Sequence, residues 1–257
     1  MIEDSQNLDE VVVIGYGTQR KGDVTSSVAS VKSENFVKGA VKDVGQLIQG
    51  KVAGLAITNP SGDPTGNTQI RLRGTSTIGG ANTAPLILID GIPGDFNTVA
   101  PEDVESIDVL KDGSAAAIYG TRGTNGVILI TTKQARGSEI LRVDYSGYIS
   151  TSHISKKHDM LNASEFAQLY PDYDQGYDTD WVDEITRTPV SHVHNLSLSG
   201  GTSRANYIAN VNYASRQGIM KRSNFENFRA RIEVTQRLFD DKVRLRFGLL
   251  GRSDWRE

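Results

Sequence analysis

From residue 140 onward, hydrophobic and polar residues alternate with a period of two. Leu141, Val143, Tyr145, Gly147 and Ile149 stand opposite Arg142, Asp144, Ser146, Tyr148 and Ser150, which predicts a strand with one apolar face. The pattern returns weakly over 192–199 and clearly over 205–216, 227–238 and 242–252. Each segment is about ten residues long, the length a tilted strand needs to cross a bilayer. The expected connections alternate too: 200–203 and 240–242 are tight, 151–191 and about 217–226 longer and polar. Outer-membrane barrels alternate short periplasmic turns with long outer loops, and a soluble antiparallel meander with one face on a core gives the same residue pattern. Periodicity by itself leans to the soluble meander. The opposite face, with Arg229, Arg231, Glu233 and Arg237 and then Arg244, Arg246 and Arg252, suits either a water-filled lumen or any solvated surface.

Residues 18–139 read differently. Short β-rich runs at 51–58, 69–73, 86–90, 104–110 and 126–133 predict strands. Two helix candidates lie between them. Over 43–49, Val44, Leu47 and Ile48 have i, i+3, i+4 spacing and Gly50 supplies a stop. Over 114–119, a capping serine opens the segment and Gly120 closes it. Glycines at 54, 74, 91, 113, 120, 123 and 126 punctuate these elements.

Composition narrows the chemistry. The 257 residues include no cysteine and four histidines, which excludes a disulfide scaffold, a thiolate zinc site and a cysteine nucleophile. A net charge of −3 gives no case for nucleic-acid binding. No apolar run approaches the ~18 residues of a membrane helix, and a β-barrel needs none. The 26 glycines favour turn-rich β structure. The acidic balance of residues 1–139 gives way to near neutrality after 140. Met1-Ile2-Glu3-Asp4-Ser5, with no basic segment ahead of an apolar one, is not expected to be a signal peptide.

Four long motifs occur in order: Leu47-Ile-Gln-Gly-Lys-Val-Ala-Gly54, Ile70-Arg-Leu-Arg-Gly74, Pro85-Leu-Ile-Leu-Ile-Asp-Gly-Ile-Pro93, and a run from Ile107 through Lys111, Tyr119, Gly120, Arg122, Gly123, Asn125 and Gly126 to Lys133. With Thr179-Asp-Trp-Val-Asp-Glu-Ile185 in the first long loop, they resemble the SusC/RagA family of TonB-dependent outer-membrane transporters, the first four matching its plug domain. The resemblance implies a coupling segment at 1–17, a plug at 18–139 and about five barrel strands at 140–257. The fold class expected is an α+β plug followed by antiparallel strands of an incomplete transmembrane β-barrel. Arg71, Arg73, Gly74, Asp90, Gly91, Lys111, Tyr119, Gly120, Arg122, Gly123, Asn125 and Gly126 are expected to be structural plug residues. Arg71 and Arg73, on one strand face, are candidates to pair with Asp90 or Glu105 at a plug–barrel interface.

Glu10-Val-Val-Val-Ile-Gly-Tyr-Gly17 admits two readings. A dinucleotide fingerprint wants a third glycine where Arg20 stands, and a helix after it; the serine-rich, β-branched 21–30 does not supply one. The other reading is a segment similar to the family's TonB box, Asp9, Glu10, Val11, Val12 and Val13, able to add as a strand to a partner's sheet edge. The alternative is that 11–14 is the plug's first strand. Asp172, Asp174, Gly176 and Asp178 partly match a calcium loop, but its twelfth position is Asp183 in place of glutamate. His192 and His194 share a strand face without an evident third ligand. No catalytic constellation, metal site or cofactor site is expected, and the chain is expected not to be an enzyme.

The resemblance further implies an outer-membrane location in a Gram-negative, Bacteroidota-like bacterium with the plug facing the periplasm, energy coupling by TonB, a SusD-like lipoprotein lid, and oligosaccharide or peptide cargo. A plugged barrel of about 22 strands of about 10 residues needs roughly 220 residues, more than follow position 139. The expectation is therefore a fragment unable to transport alone. The alternative is an autonomous plug-type module that interacts with TonB or signals in the periplasm.

Overall fold

The computed structural model describes residues 11–14, 17–20, 28–59, 63–66, 68–74, 83–111, 119–135, 140–240 and 242–256. Short strands come first: β1 (Val11–Ile14), β2 (Gly17–Arg20), β3 (Val28–Lys32), β4 (Leu55–Thr58), β5 (Gln69–Leu72), β6 (Leu86–Ile89), β7 (Ile92–Pro93), β8 (Val104–Leu110) and β9 (Val127–Thr132). Longer ones follow: β10 (Arg142–Thr151), β11 (Val190–Gly201), β12 (Ala205–Gln217), β13 (Asn224–Leu238) and β14 (Val243–Arg256).

The first half is built on a mixed sheet ordered β3-β8-β9-β6-β7, in which only β6 and β9 run parallel. Its central strands are apolar on both faces, as strands covered on both sides must be. Ile128 and Ile130 join the larger core with Ile107 and Val109, while Val127 and Leu129 point the other way with Leu88 and Leu110. The larger face is covered by the β4–β5 hairpin and by a 3-10 turn, Val44–Ile48, whose cap residue Asp43 accepts a hydrogen bond from the Gln46 amide. That turn is where an α-helix was expected. Gly45 lies against the Phe96 ring, where a Cβ would meet ring carbons at 2.8 Å, so the segment is held tightly by packing over a single turn. The helix expected over 114–119 falls outside the described residues apart from Tyr119. Its continuation, Gly120–Gly123, is another 3-10 turn.

β10 to β14 form an antiparallel meander in sequence order. β11 to β14 run 12 to 15 residues, longer than the ten expected. The connection 217–226, expected to be long, is only 218–223, closed by the Gly218 amide donating to the Ser223 carbonyl at 2.7 Å. The 152–189 loop is long as expected and carries two capped helices, Ala163–Leu169 behind Asn162 and Trp181–Ile185 behind Asp180.

The two faces of this sheet decide what its alternation means. A soluble meander buries its apolar face; here the polar face is buried. Arg229 is 4% exposed, Arg231 and Glu233 are 7%, and Asn227 is fully buried, whereas Ile232 is 49% exposed and Phe247 70%. Asn206, Asn210 and Asn212 of β12 are buried beside them, and Tyr207 and Val211 face outward. The first half of the chain packs on the polar side, so the meander is a wall around it.

Candidate functional site

The functional geometry lies at the seam between the sheet of the first half and this wall. Asp90 and Gly91 form the two-residue turn between β6 and β7, both with positive φ (48° and 87°), the geometry of a tight hairpin turn that favours Asp-Gly. In this conformation the Asp90 carboxylate folds back onto the end of β9. It accepts from the Thr132 amide at 3.0 Å and from the Thr132 hydroxyl at 2.6 Å, while the Asp90 amide donates to the Ile130 carbonyl.

Arg231 on β13 completes the cluster. Its guanidinium donates to the Thr132 hydroxyl and, at 2.7 Å, to the Lys133 carbonyl. It lies 3.8 Å from Asp90 and 3.4 Å from Glu233, and Glu233 in turn lies 3.5 Å from Arg246. Two residues along β13, Arg229 donates to the Asn97 carbonyl at 2.9 Å and to Asn212, whose amide reaches Glu102 at 3.3 Å. Arg252 sits 3.7 Å from Asp95, and the Val41 carbonyl accepts from Tyr148 and Arg216. Asp103, on the first-half side of the same seam, is 5% exposed, and burial pushes its carboxyl up to about 6 against the partial relief of Arg231.

The motif residues divide between this seam and the turns that shape it. Asp90 takes its cation from the wall, Arg231; from the sequence, Arg71 and Arg73 were the candidates to pair with Asp90 or Glu105. Both those arginines are exposed, at β5 and the turn after it, and Arg73 adopts φ 58° ahead of Gly74. Gly126 has φ 89°, and a Cβ there would meet the Leu110 carbonyl at 3.0 Å as well as the Leu72 side chain. Close packing of β5 on the β8–β9 pair thus requires glycine. Asn125 and Lys111 are half-buried, Tyr119 packs on the smaller core, Gly123 is buried, and Gly120 and Arg122 are exposed.

Asp9 and Glu10 lie outside the described residues. Val11, Val12 and Val13 lie in β1, which pairs with β2 as a separate two-stranded hairpin and does not join the β3-β8-β9-β6-β7 sheet. A second strand where a nucleotide fold needs a helix removes the dinucleotide reading. His192 and His194 lie on the outward face with ring centroids 5.3 Å apart, and His194 Nδ1 is 2.6 Å from the Tyr145 hydroxyl. Among the described residues no group of three or more His, Asp or Glu side chains is placed to hold a metal ion.

Residues 20–127 match the TonB-dependent Receptor Plug Domain family. The chain is 39% identical over 260 residues to TonB-dependent receptor SusC of Bacteroides thetaiotaomicron, covering 94% of this chain and 26% of that protein. The structure of the RagAB peptide transporter superimposes with a TM-score of 0.80 at 28% identity, over 91% of this chain and 31% of that one.

The chain belongs to the SusC/RagA family of TonB-dependent receptors.

It spans about a quarter of the length of the curated relatives it matches. A more distant neighbour, ferric citrate transporter FecA in the unliganded form, shares the fold alone, with a TM-score of 0.64 at 14% identity over 95% of this chain and 34% of that one. Within this family the first-half sheet is the plug and β10–β14 are the start of a barrel wall, without closure among the described residues. Sequence reasoning singled out the plug side of the seam and treated Arg229, Arg231 and Glu233 only as a charged surface. Their pairing with plug backbone carbonyls has no local sequence signal, since Arg231 and Lys133 are about a hundred residues apart.

Proposed function

We propose that this chain provides the coupling segment, the gate and the first wall strands of an outer-membrane uptake system driven by TonB, with oligosaccharides or peptides as cargo and a SusD-like lipoprotein as lid. The observation that carries this reading is the inverted sheet, apolar outside and charged inside against the plug. Lipid is the solvent that rewards such an exterior. Outward aromatic residues support it: Tyr207 and Phe247 lie toward one end of their strands and Tyr213 and Trp255 toward the other, as in the aromatic girdles of membrane barrels.

The plug's role in this reading is gating, with no chemistry of its own. The polar docking of Arg229 and Arg231 onto plug carbonyls favours a plug built to sit in a wall over an autonomous periplasmic module. TonB would recruit 9–13 by adding that segment to its own sheet edge, and among the described residues β1 pairs with β2 on one side, which leaves main-chain groups to offer on the other. Mixing the periplasmic domain of TonB with this chain and with a Val12→Pro variant tests the assignment. Proline removes a strand donor, so binding is expected to drop at least tenfold, and equal binding would sink the coupling role.

A further inference from the structure

The inward-facing arginines of β13 and β14 are not all committed to the plug. Arg229 and Arg231 dock onto plug carbonyls as described above, whereas Arg237, Arg244 and Arg246 gather toward the end of these strands where the tight turn at 239–242 lies. The pairing register sets their spacing. Arg237 stands directly opposite Arg244, and Arg246 follows two residues along β14, opposite Thr235. Directly opposed side chains on one face are ~5 Å apart at Cβ and residues two along a strand ~7 Å, close enough for the long arms of all three to converge. Like charges placed directly opposite destabilise a strand pair.

These three arginines line a cavity of about 40 Å³, closed on the plug side by Gln134 and Ala135, which follow β9. Of the residues lining it, Glu233 alone is acidic, and its two oxygens are divided between Arg246 at 3.5 Å and Arg231 at 3.4 Å. Arg244 forms no ion pair among the described residues. The lining therefore carries more positive than negative charge, in a place that faces the plug and is screened less than an open surface. Thr235, paired with Asn206 across β12 and β13, adds a hydroxyl. One water needs ~10–15 Å³ on this measure, so the space takes a group of a few heavy atoms and excludes a sugar or peptide unit. Guanidinium forks meet the edges of a tetrahedral oxyanion with paired, charge-assisted hydrogen bonds.

We propose that this cavity binds free inorganic phosphate, held by Arg237, Arg244 and Arg246, and that the bound ion ties the segment after β9 to the wall. An ester or a lipid headgroup carries a substituent for which the cavity has no room, and the site lies on the inner face of the wall. The ligand class rests on the lining residues alone; only the position at the periplasmic end of the wall rests on the uptake reading.

The full chain in detergent micelles is titrated calorimetrically with sodium phosphate at neutral pH, with sodium chloride at matched ionic strength as reference. A single phosphate is expected to bind per chain, and chloride to give no saturable signal. Arg244→Gln and Arg246→Gln are each expected to weaken phosphate binding at least ~tenfold by removing one charge-assisted fork, and Lys51→Gln, at an exposed lysine of the plug, less than ~twofold. Glycerol 3-phosphate is expected to bind at least ~tenfold more weakly than phosphate, because its ester group does not fit. Stability gives a second readout. Without phosphate, Arg244→Gln is expected to raise the urea midpoint, since it removes one of two opposed like charges; in saturating phosphate the parent chain overtakes it, since an ion bound to the folded state alone stabilises that state. Absence of saturable phosphate binding, an equal loss in Lys51→Gln, glycerol 3-phosphate bound as tightly as phosphate, or the same order of midpoints in both buffers overturns the proposal. TonB binding measured on the same preparations keeps the two readings apart: its loss with phosphate binding retained counts against coupling alone, and the converse against the phosphate site alone.

Discussion

Replacing Arg231 with methionine removes the cation at the centre of the seam and leaves a side chain of similar length. Asp90 at 3.8 Å then loses its cation and Glu233 at 3.4 Å is left with Arg246 alone, their side chains only 17% and 9% exposed. At an effective dielectric of about 20 their gross attractions to the guanidinium are roughly 4 and 5 kcal/mol. Desolvation of the arginine offsets much of this, so the net cost of breaking a buried pair, about 3–5 kcal/mol, is the better guide. The loss should appear as faster hydrogen exchange at the Thr132 amide, whose acceptor is Asp90, and in neighbouring plug amides exposed when the plug undocks. At 1.4 kcal/mol per decade, the acceleration is about two to three and a half orders of magnitude. Adding Asp90→Asn and Glu233→Gln neutralises both carboxylates and is expected to recover most of the protection, since replacing a whole buried ionic cluster is often close to neutral. Exchange within threefold of the parent chain in the single variant, or no recovery in the triple variant, would refute the view that this cluster holds plug to wall.

Gly126→Ala forces a side chain into a left-handed position already filled by Leu72 and the Leu110 carbonyl; a loss of at least ~2 kcal/mol in urea unfolding is expected, led by the plug. Asp103, with its folded pKa raised to about 6 from 3.8, favours the protonated folded state. Its contribution is fully present below about pH 4 and is lost as pH rises through about 6, by up to about 3 kcal/mol. Unfolding midpoints at pH 4.5 and 7.5 should therefore differ less in Asp103→Asn than in the parent chain, and equal differences would remove the group from the seam's pH dependence. Ile232→Arg, on the exposed face of β13, is expected to cost ~2–4 kcal/mol in lipid bilayers, where that face meets hydrocarbon, and little in water; equal effects in the two media would contradict the lipid-facing assignment.

Much of the architecture was legible because short-range rules write it into the chain. The period-two segments are strands, with pairing in sequence order and tight turns near 200–203 and 240–242. The Pro85–Pro93 motif gave a strand, a tight Asp-Gly turn and a second short strand because backbone geometry at Asp90 and Gly91 is a local matter. Legibility failed where neighbours distant in sequence compete with local preference. The 43–49 segment has helical spacing yet forms only the short 3-10 helix Val44–Ile48, packed with Gly45 against the Phe96 ring. The connection at 217–226 is shortened because β12 and β13 keep pairing as far as Gln217 and Asn224.

The sequence by itself determined that two faces exist on β10–β14, one apolar and one charged, because side chains on a strand must alternate. It could not say which face looks inward, since water outside a core and a plug inside a lipid-facing wall call for the same spacing of residues. Only the tertiary structure decided that, by bringing Arg229 and Arg231 against the carbonyls of Asn97 and Lys133 and leaving Ile232 and Phe247 outside. The physical reason is that a buried guanidinium is stable only where acceptors from elsewhere in the chain meet it, and where those acceptors lie is a property of the folded chain.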